Sequence, residues 1–130
     1  MTAETEIRVR YVECDPMGVA HHTSYPVWFE MGRTELLRSS GTDYAALERD
    51  GVFLAVVSLD VRYLKPARYD DVLTLHTSLA SCGRVKVEHH YVLRRGGDTL
   101  STGRTVLACL DANGQLRAVP DMIRGDASEA

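Results

Sequence analysis

The chain has 130 residues, a formal net charge of -3 and an isoelectric point near 5.9. That length suits one compact domain, and 45% hydrophobic with 25% charged residues supplies a core and excludes a disordered segment. The acidic balance argues against a general nucleic-acid binder, which presents a basic face, but leaves room for a local basic cluster that meets a small anion.

Met1 to Arg10 is polar and lacks the apolar stretch of a secretion signal, and no run approaches the ~20 apolar residues of a membrane span. Cys14, Cys82 and Cys109 are odd in number, far apart and without a CxxC spacing. They read as small, reduced core residues, so a cytoplasmic location is expected. Ile7, Val9 and Tyr11 alternate with Arg8 and Arg10, which predicts a first strand. The alternation breaks at Asp15-Pro16-Met17-Gly18, a turn signal.

A long helix follows. Thr23 or Ser24 can cap it, Pro26 suits its first turn, and Gly41 fits its end. Tyr25, Trp28, Phe29, Gly32 and Leu36 recur at helical spacing and form one apolar face. Gly32 on that face costs about 1 kcal/mol against Ala, which predicts a close approach to a sheet. Thr42 is expected to cap a second short helix through Leu47, closed by Gly51.

Four strands then follow. Phe53, Ala55, Val57, Leu59, Val61 and Tyr63 are apolar on one parity and predict a strand with one buried face, ended by Pro66. Leu73, Leu75 and Leu79 mark the next, and Val85, Val87, Tyr91 and Leu93 the third. Gly96-Gly97-Asp98 is a hairpin signal, leading to a strand with Leu100, Val106, Ala108 and Leu110 that ends at Asp111-Ala112-Asn113-Gly114. Short turns between strands imply an antiparallel sheet. The class is α+β, a sheet wrapped round a central helix. One domain over 1–123 is expected, with 124–130 as a frayed, polar tail.

Polar residues are densest between the first strand and the long helix: Glu13, Cys14, Asp15, His21, His22, Thr23 and Ser24. Gly18 lets backbone approach a ligand or adopt positive φ. The helix is expected to begin near His22, and the first N–H groups of a helix lack intrahelical partners and favour developing negative charge. A carboxylate beside such an N-terminus suits acyl transfer: the carboxylate attacks or activates water while amides hold the oxyanion. By composition alone Asp15 reads as a turn residue, since an Asp before a turn is more often structural. Adjacent His21 and His22 do not make a metal site, since neighbouring side chains point apart and no second ligand set stands at the right spacing. His89 and His90 share a strand, one facing the core side and one solvent.

The run Tyr11-Val12-Glu13-Cys14-Asp15-Pro16-Met17-Gly18-Val19-Ala20-His21-His22-Thr23-Ser24-Tyr25, followed by Trp28-Phe29-Glu30 and Arg33, resembles the hotdog-fold thioesterases of the 4-hydroxybenzoyl-CoA thioesterase type. It is also similar to the acyl-CoA thioesterases of the bacterial Tol-Pal cluster. Tyr63-Leu64-Lys65-Pro66-Ala67-Arg68-Tyr69-Asp70-Asp71 matches the family's next strand and turn, and the likeness spans about residues 6 to 111. The resemblance implies a hotdog fold and hydrolysis of acyl-CoA to free acid and CoA, with CoA as part of the substrate and no further cofactor. It implies that Asp15 is nucleophile or general base, that the His22 amide polarises the carbonyl, that Gly18 keeps the turn open, and that Tyr25 lines or underlies the acyl pocket. It also implies a dimer or tetramer of hotdog domains, with the active site at the interface and a contribution from the partner's 57–60 segment.

Coenzyme A carries phosphates, so a basic patch is expected. Arg84 and Lys86 after Gly83 are the first candidates; Arg62, Lys65 and Arg68, or Arg94 and Arg95, are the others. Two rival functions stay open on the residues: a hotdog enoyl-CoA hydratase or dehydratase, and a non-catalytic module that binds CoA or an acyl carrier.

Overall fold

The computed structural model describes residues 1–124. It contains strand β1 (Thr2–Arg8), a single 3-10 turn (Tyr11–Glu13), helices α1 (Ser24–Ser39) and α2 (Tyr44–Arg49), strands β2 (Phe53–Tyr63), β3 (Val72–Cys82), β4 (Lys86–Arg95) and β5 (Asp98–Leu110), and a closing turn of helix, α3 (Asp121–Arg124). The five strands form one antiparallel sheet in the order β1-β3-β4-β5-β2. The α+β class is therefore as expected. No helix among the described residues is long and apolar enough to cross a membrane.

The sheet curls round α1 because alternate residues of β3 and β4 are apolar. Leu73, Leu75, Leu79, Val87, Tyr91 and Leu93 all turn inward and are buried. Tyr25, Trp28, Phe29, Leu36 and Leu37 of α1 meet them. Phe29 stacks on Tyr91 with centroids 4.4 Å apart. Gly32 accounts for the close approach: a Cβ there would meet Thr77 Oγ1 and lie 2.6 Å from Leu75 Cδ2. Burying α1's apolar stripe this way supplies most of its stability, since its own caps are weak.

Several local expectations shift. β1 begins at Thr2 and ends at Arg8, and Tyr11 lies in the 3-10 turn, 81% exposed. The chain leaves the sheet there because Glu13 N–H turns back to the Arg10 carbonyl at 3.0 Å. Thr23 is the N-cap of α1, but its hydroxyl bonds the His21 ring at 2.8 Å instead of a helix amide. Asp43, not Thr42, caps α2, its carboxylate accepting from the Ala46 amide at 2.8 Å. Arg124 is no tail residue: it closes α3 and its guanidinium donates to the Gly83 carbonyl at 2.9 Å. The remainder of the expected tail, 125–130, lies outside the described residues.

The largest correction concerns β2. Its pairing with β5 shifts at Val57, from Val56–Leu107 to Ser58–Val106, so a bulge reverses the parity along the strand. Leu54 and Val56 face inward before the bulge, and Leu59, Val61 and Tyr63 after it. The single buried face expected from the sequence does not form. β2 lies at the sheet edge, and α1, which packs mainly on β1 and β3, reaches it only toward its Tyr63 end, where Tyr25 meets Tyr63. Val56, Val57, Leu59 and Tyr63 are therefore exposed.

Candidate active site

The Asp15 turn is a tight hairpin. Cys14 bridges Ala20, and the Asp15 N–H donates to the Val19 carbonyl at 2.9 Å. Gly18 closes it with φ of +80°, a conformation that costs glycine little, and donates to the Asp15 carbonyl at 3.0 Å. Asp15 Oδ1 accepts from the Met17 amide at 2.8 Å and the Val19 amide at 3.4 Å. This is the turn-residue role open from composition. It also fixes the carboxylate's direction, and Oδ2 has no partner among the described residues.

Glu13 anchors this hairpin to α1. Its carbonyl accepts from the His21 amide at 2.8 Å and from Ser24 Oγ at 3.0 Å. Its carboxylate, buried, accepts from the Arg10 amide at 2.7 Å, the Arg10 guanidinium at 3.2 Å and Trp28 Nε1 at 2.8 Å. Burial pushes the Glu13 carboxyl up, but these donors outweigh it and hold it below the ordinary glutamate value. On the other side the Ala20 amide donates to the Ala67 carbonyl at 2.7 Å, and Val19 bridges Arg68.

His22 lies two residues before the first residue of α1. Its ring is exposed and tilted against His21 at 4.2 Å between centroids. Its N–H has no acceptor among the described residues, whereas its carbonyl accepts from the Tyr63 hydroxyl at 2.9 Å. His22, Tyr25, Tyr63, Leu64 and Lys65 line an open cleft of about 260 Å³ at this corner. Asp15 and Gly18 sit in the adjoining hairpin and do not line it. Tyr25 is mainly a packing residue: it lines the cleft, but its ring is buried between Trp28 and Tyr63, each 4.9 Å away. Burial pushes the hydroxyls of both Tyr25 and Tyr63 up.

Arg84 and Lys86 are exposed, but one chain does not bring them to Asp15. Lys86 pairs Ala108 near the start of β4, while Leu93 shares its row with Ser101 and Tyr63 at the cleft. Seven residues of strand separate the two rows, about 23 Å at roughly 3.3 Å per residue. The cations nearer the cleft are Lys65, paired with Asp98 at 3.1 Å, and Arg68; Arg95 is held by Asp71 at 2.7 Å. Among the described residues no three His, Cys, Asp or Glu converge as a metal set.

Sequence reasoning missed Glu13 as an anchor with Trp28 as its donor, and Tyr63 as the donor to the His22 carbonyl. A signal existed for the first pair. A buried indole N–H needs an acceptor, and Glu13 is a carboxylate in the segment that α1 must pack against.

Comparison with known proteins places these observations. The family model described as Thioesterase-like superfamily matches residues 9–126. YneP of Bacillus subtilis is 35% identical over 103 residues, 79% of this chain and 75% of YneP. The acyl-CoA thioester hydrolase YbgC of Escherichia coli is 32% identical over 106 residues, 81% of this chain and 79% of YbgC. A crystal structure of DHNA-CoA thioesterase from Staphylococcus aureus superposes with a TM-score of 0.86 at 30% identity, covering 90% of this chain and 80% of that one.

Proposed function

This chain belongs to the thioesterase-like superfamily with a hotdog fold, and from that premise we propose that it hydrolyses acyl-CoA thioesters to free acid and CoA, with Asp15 as the catalytic carboxylate. The observation that carries the reading is a juxtaposition. The Glu13–His21 pairing brings the Asp15 hairpin back to the segment that leads into α1, and among the described residues Asp15 Oδ2 has no partner and the His22 N–H no acceptor. An amide there donates to the thioester oxygen as negative charge develops on it.

Two routes share this geometry. In one, Asp15 attacks the carbonyl carbon, the C–S bond breaks, CoA leaves as thiolate, and water then cleaves the acyl-aspartyl anhydride. In the other, Asp15 takes a proton from water, whose oxygen attacks the carbonyl and expels the thiolate. Neither needs a cofactor, since CoA is a product. Gly18 leaves room at the turn, and Tyr25 supports the wall of the acyl pocket.

The unpaired β2 edge supports a second part of the reading. A second copy pairing with β2 would extend the sheet and cover Val56, Val57, Leu59 and Tyr63, giving a dimer that can associate into a tetramer. The cleft then lies at the interface, where the partner's 57–60 segment completes it. An antiparallel pair also runs the Phe53 end of one β2 toward the Tyr63 end of the other, so Arg84 and Lys86 would serve the partner's CoA. The three free cysteines fit a reducing, cytoplasmic setting.

The test is a panel of acyl-CoAs of different chain type, read by free-thiol release, on wild type and Asp15→Asn together. Asp15→Asn should lower kcat by roughly 10²–10⁴-fold if Asp15 is the general base. Wild-type turnover by that variant would sink the assignment.

A further inference from the structure

The apolar anchor of the Asp15 hairpin is small. Tyr11, Val12 and Met17 on and before it are 81%, 80% and 81% exposed, and only the short side chains of Cys14 and Ala20, where its two arms meet, pack against the core beneath α1. The Glu13 network does much of that. One residue grips the chain before the hairpin through two Arg10 donors, its return arm through the His21 amide, and α1 through Ser24 Oγ and Trp28 Nε1. Asp15 lies two residues further on.

We propose that Glu13 is a positioning residue for the hydrolysis: its buried carboxylate, through Trp28 Nε1, locks the Asp15 hairpin at one spacing from the head of α1. This rests on the catalytic reading of Asp15. The placement of the bonds explains why the role falls to Glu13. Its backbone carbonyl and its carboxylate clamp opposite ends of the segment that turns into α1. Trp28 is one helical turn beyond Ser24, so the two bonds to α1 fix both where the hairpin sits and how it is rotated. A carboxylate accepts from several donors at once, whereas an amide in its place has a single acceptor oxygen for the same set. Losing one bond therefore lets the hairpin swing without unfolding the sheet behind it. A carboxylate displaced by even about 1 Å loses much of its rate advantage while substrate still binds.

The experiment compares Glu13→Gln, Trp28→Phe, the double variant and Asp15→Asn, each read well below its melting temperature with the best acyl-CoA of the panel. Both single variants should lose roughly 10- to 100-fold in kcat with KM changed less than about twofold. The double variant should be no worse than the poorer single one, because both weaken the same Glu13 network. Trp28 is the only tryptophan, so its indole N–H resonance reports on the bond directly. In Asp15→Asn, where residue 15 no longer titrates, the Trp28 indole and the Met17 and Val19 amides should shift together at low pH with one apparent pKa, below the usual glutamate value.

If Asp15→Asn is inactive while Glu13→Gln and Trp28→Phe keep wild-type kcat, the positioning role is overturned and the catalytic reading stands. If Asp15→Asn turns over at the wild-type rate, the catalytic reading falls and takes this proposal with it. If Glu13→Gln does not fold, Trp28→Phe and the titration decide: wild-type kcat, or loop amides that ignore the Glu13 titration, overturns the role.

Discussion

The Tyr63 hydroxyl donates to the His22 carbonyl at 2.9 Å, tying the exposed edge strand to the segment that leads into α1. These residues are 41 apart in sequence, and this is the polar link between β2 and the candidate oxyanion amide. Tyr63→Phe should keep the ring contact with Tyr25 and lose the bond. At a half-exposed site the expected cost is about 0.5–1.5 kcal/mol in urea unfolding. Turnover should fall severalfold as the His22 peptide loosens. Full activity in Tyr63→Phe would show that His22 is held well enough by the Glu13 hairpin alone.

Gly32→Ala sets helix propensity against packing. Alanine favours the helix by about 1 kcal/mol. Its Cβ would press on Thr77 Oγ1 and lie 2.6 Å from Leu75 Cδ2, both side chains fully buried. Overpacking of this kind costs about 1–3 kcal/mol, so the variant should be destabilised on balance. A stabilised Gly32→Ala in thermal unfolding would mean that α1 stands further from β3.

His89 predicts an acid limb of stability. Burial, with help from Arg33 and His90, holds its imidazole down to about 4. The unfolded chain has an ordinary histidine near 6.5, so between these values it binds the proton that the folded state refuses. The contribution is complete above about pH 6.5 and is lost as pH falls toward 4. The loss is on the order of 3 kcal/mol. Below that window the depressed carboxyls of Glu13 and Asp71 act in the same direction. Urea unfolding of wild type and His89→Leu from pH 7 to 4 checks this: the variant should lose most of the slope.

Arg84→Ala should weaken CoA binding more at low salt than at high salt, because exposed charge pairs are screened within about 10 Å at 0.1 M ionic strength. The distance from Arg84 to the cleft of its own chain adds a second expectation: a Val57→Glu variant that opens the β2 edge should weaken CoA binding as well. Equal loss at both salts for Arg84→Ala would remove Arg84 from the phosphate site. Wild-type affinity in an established monomer would do the same.

Local pattern carried most of the fold. The period-2 runs at Leu73–Leu79 and Val87–Leu93, the helical spacing from Tyr25 to Leu36, and the Asp-Pro-Met-Gly and Gly-Gly-Asp turns all appear where they were read. Each depends on residues within a few positions of one another. The same locality made the Asp15 hairpin visible as a turn, but its resemblance to a known motif, not its composition, made it a catalytic candidate.

By itself the sequence determined which side chains point together along each strand and helix, because the periods of 2.0 and 3.6 are properties of the backbone. It also placed a carboxylate, a glycine and the head of a helix within one short segment. Tertiary structure decided which faces are covered. α1 lies mainly over β1 and β3 and meets β2 only near Tyr63, so much of the apolar β2 is left exposed although it reads like a core strand, and the bulge at Val57 turns its second half over. It decided that Glu13 meets Trp28 across 15 residues and that Lys86 stands at the far end of β4 from Tyr63. These relations depend on where the chain returns in space, which the pairing of distant strands sets and no local period encodes.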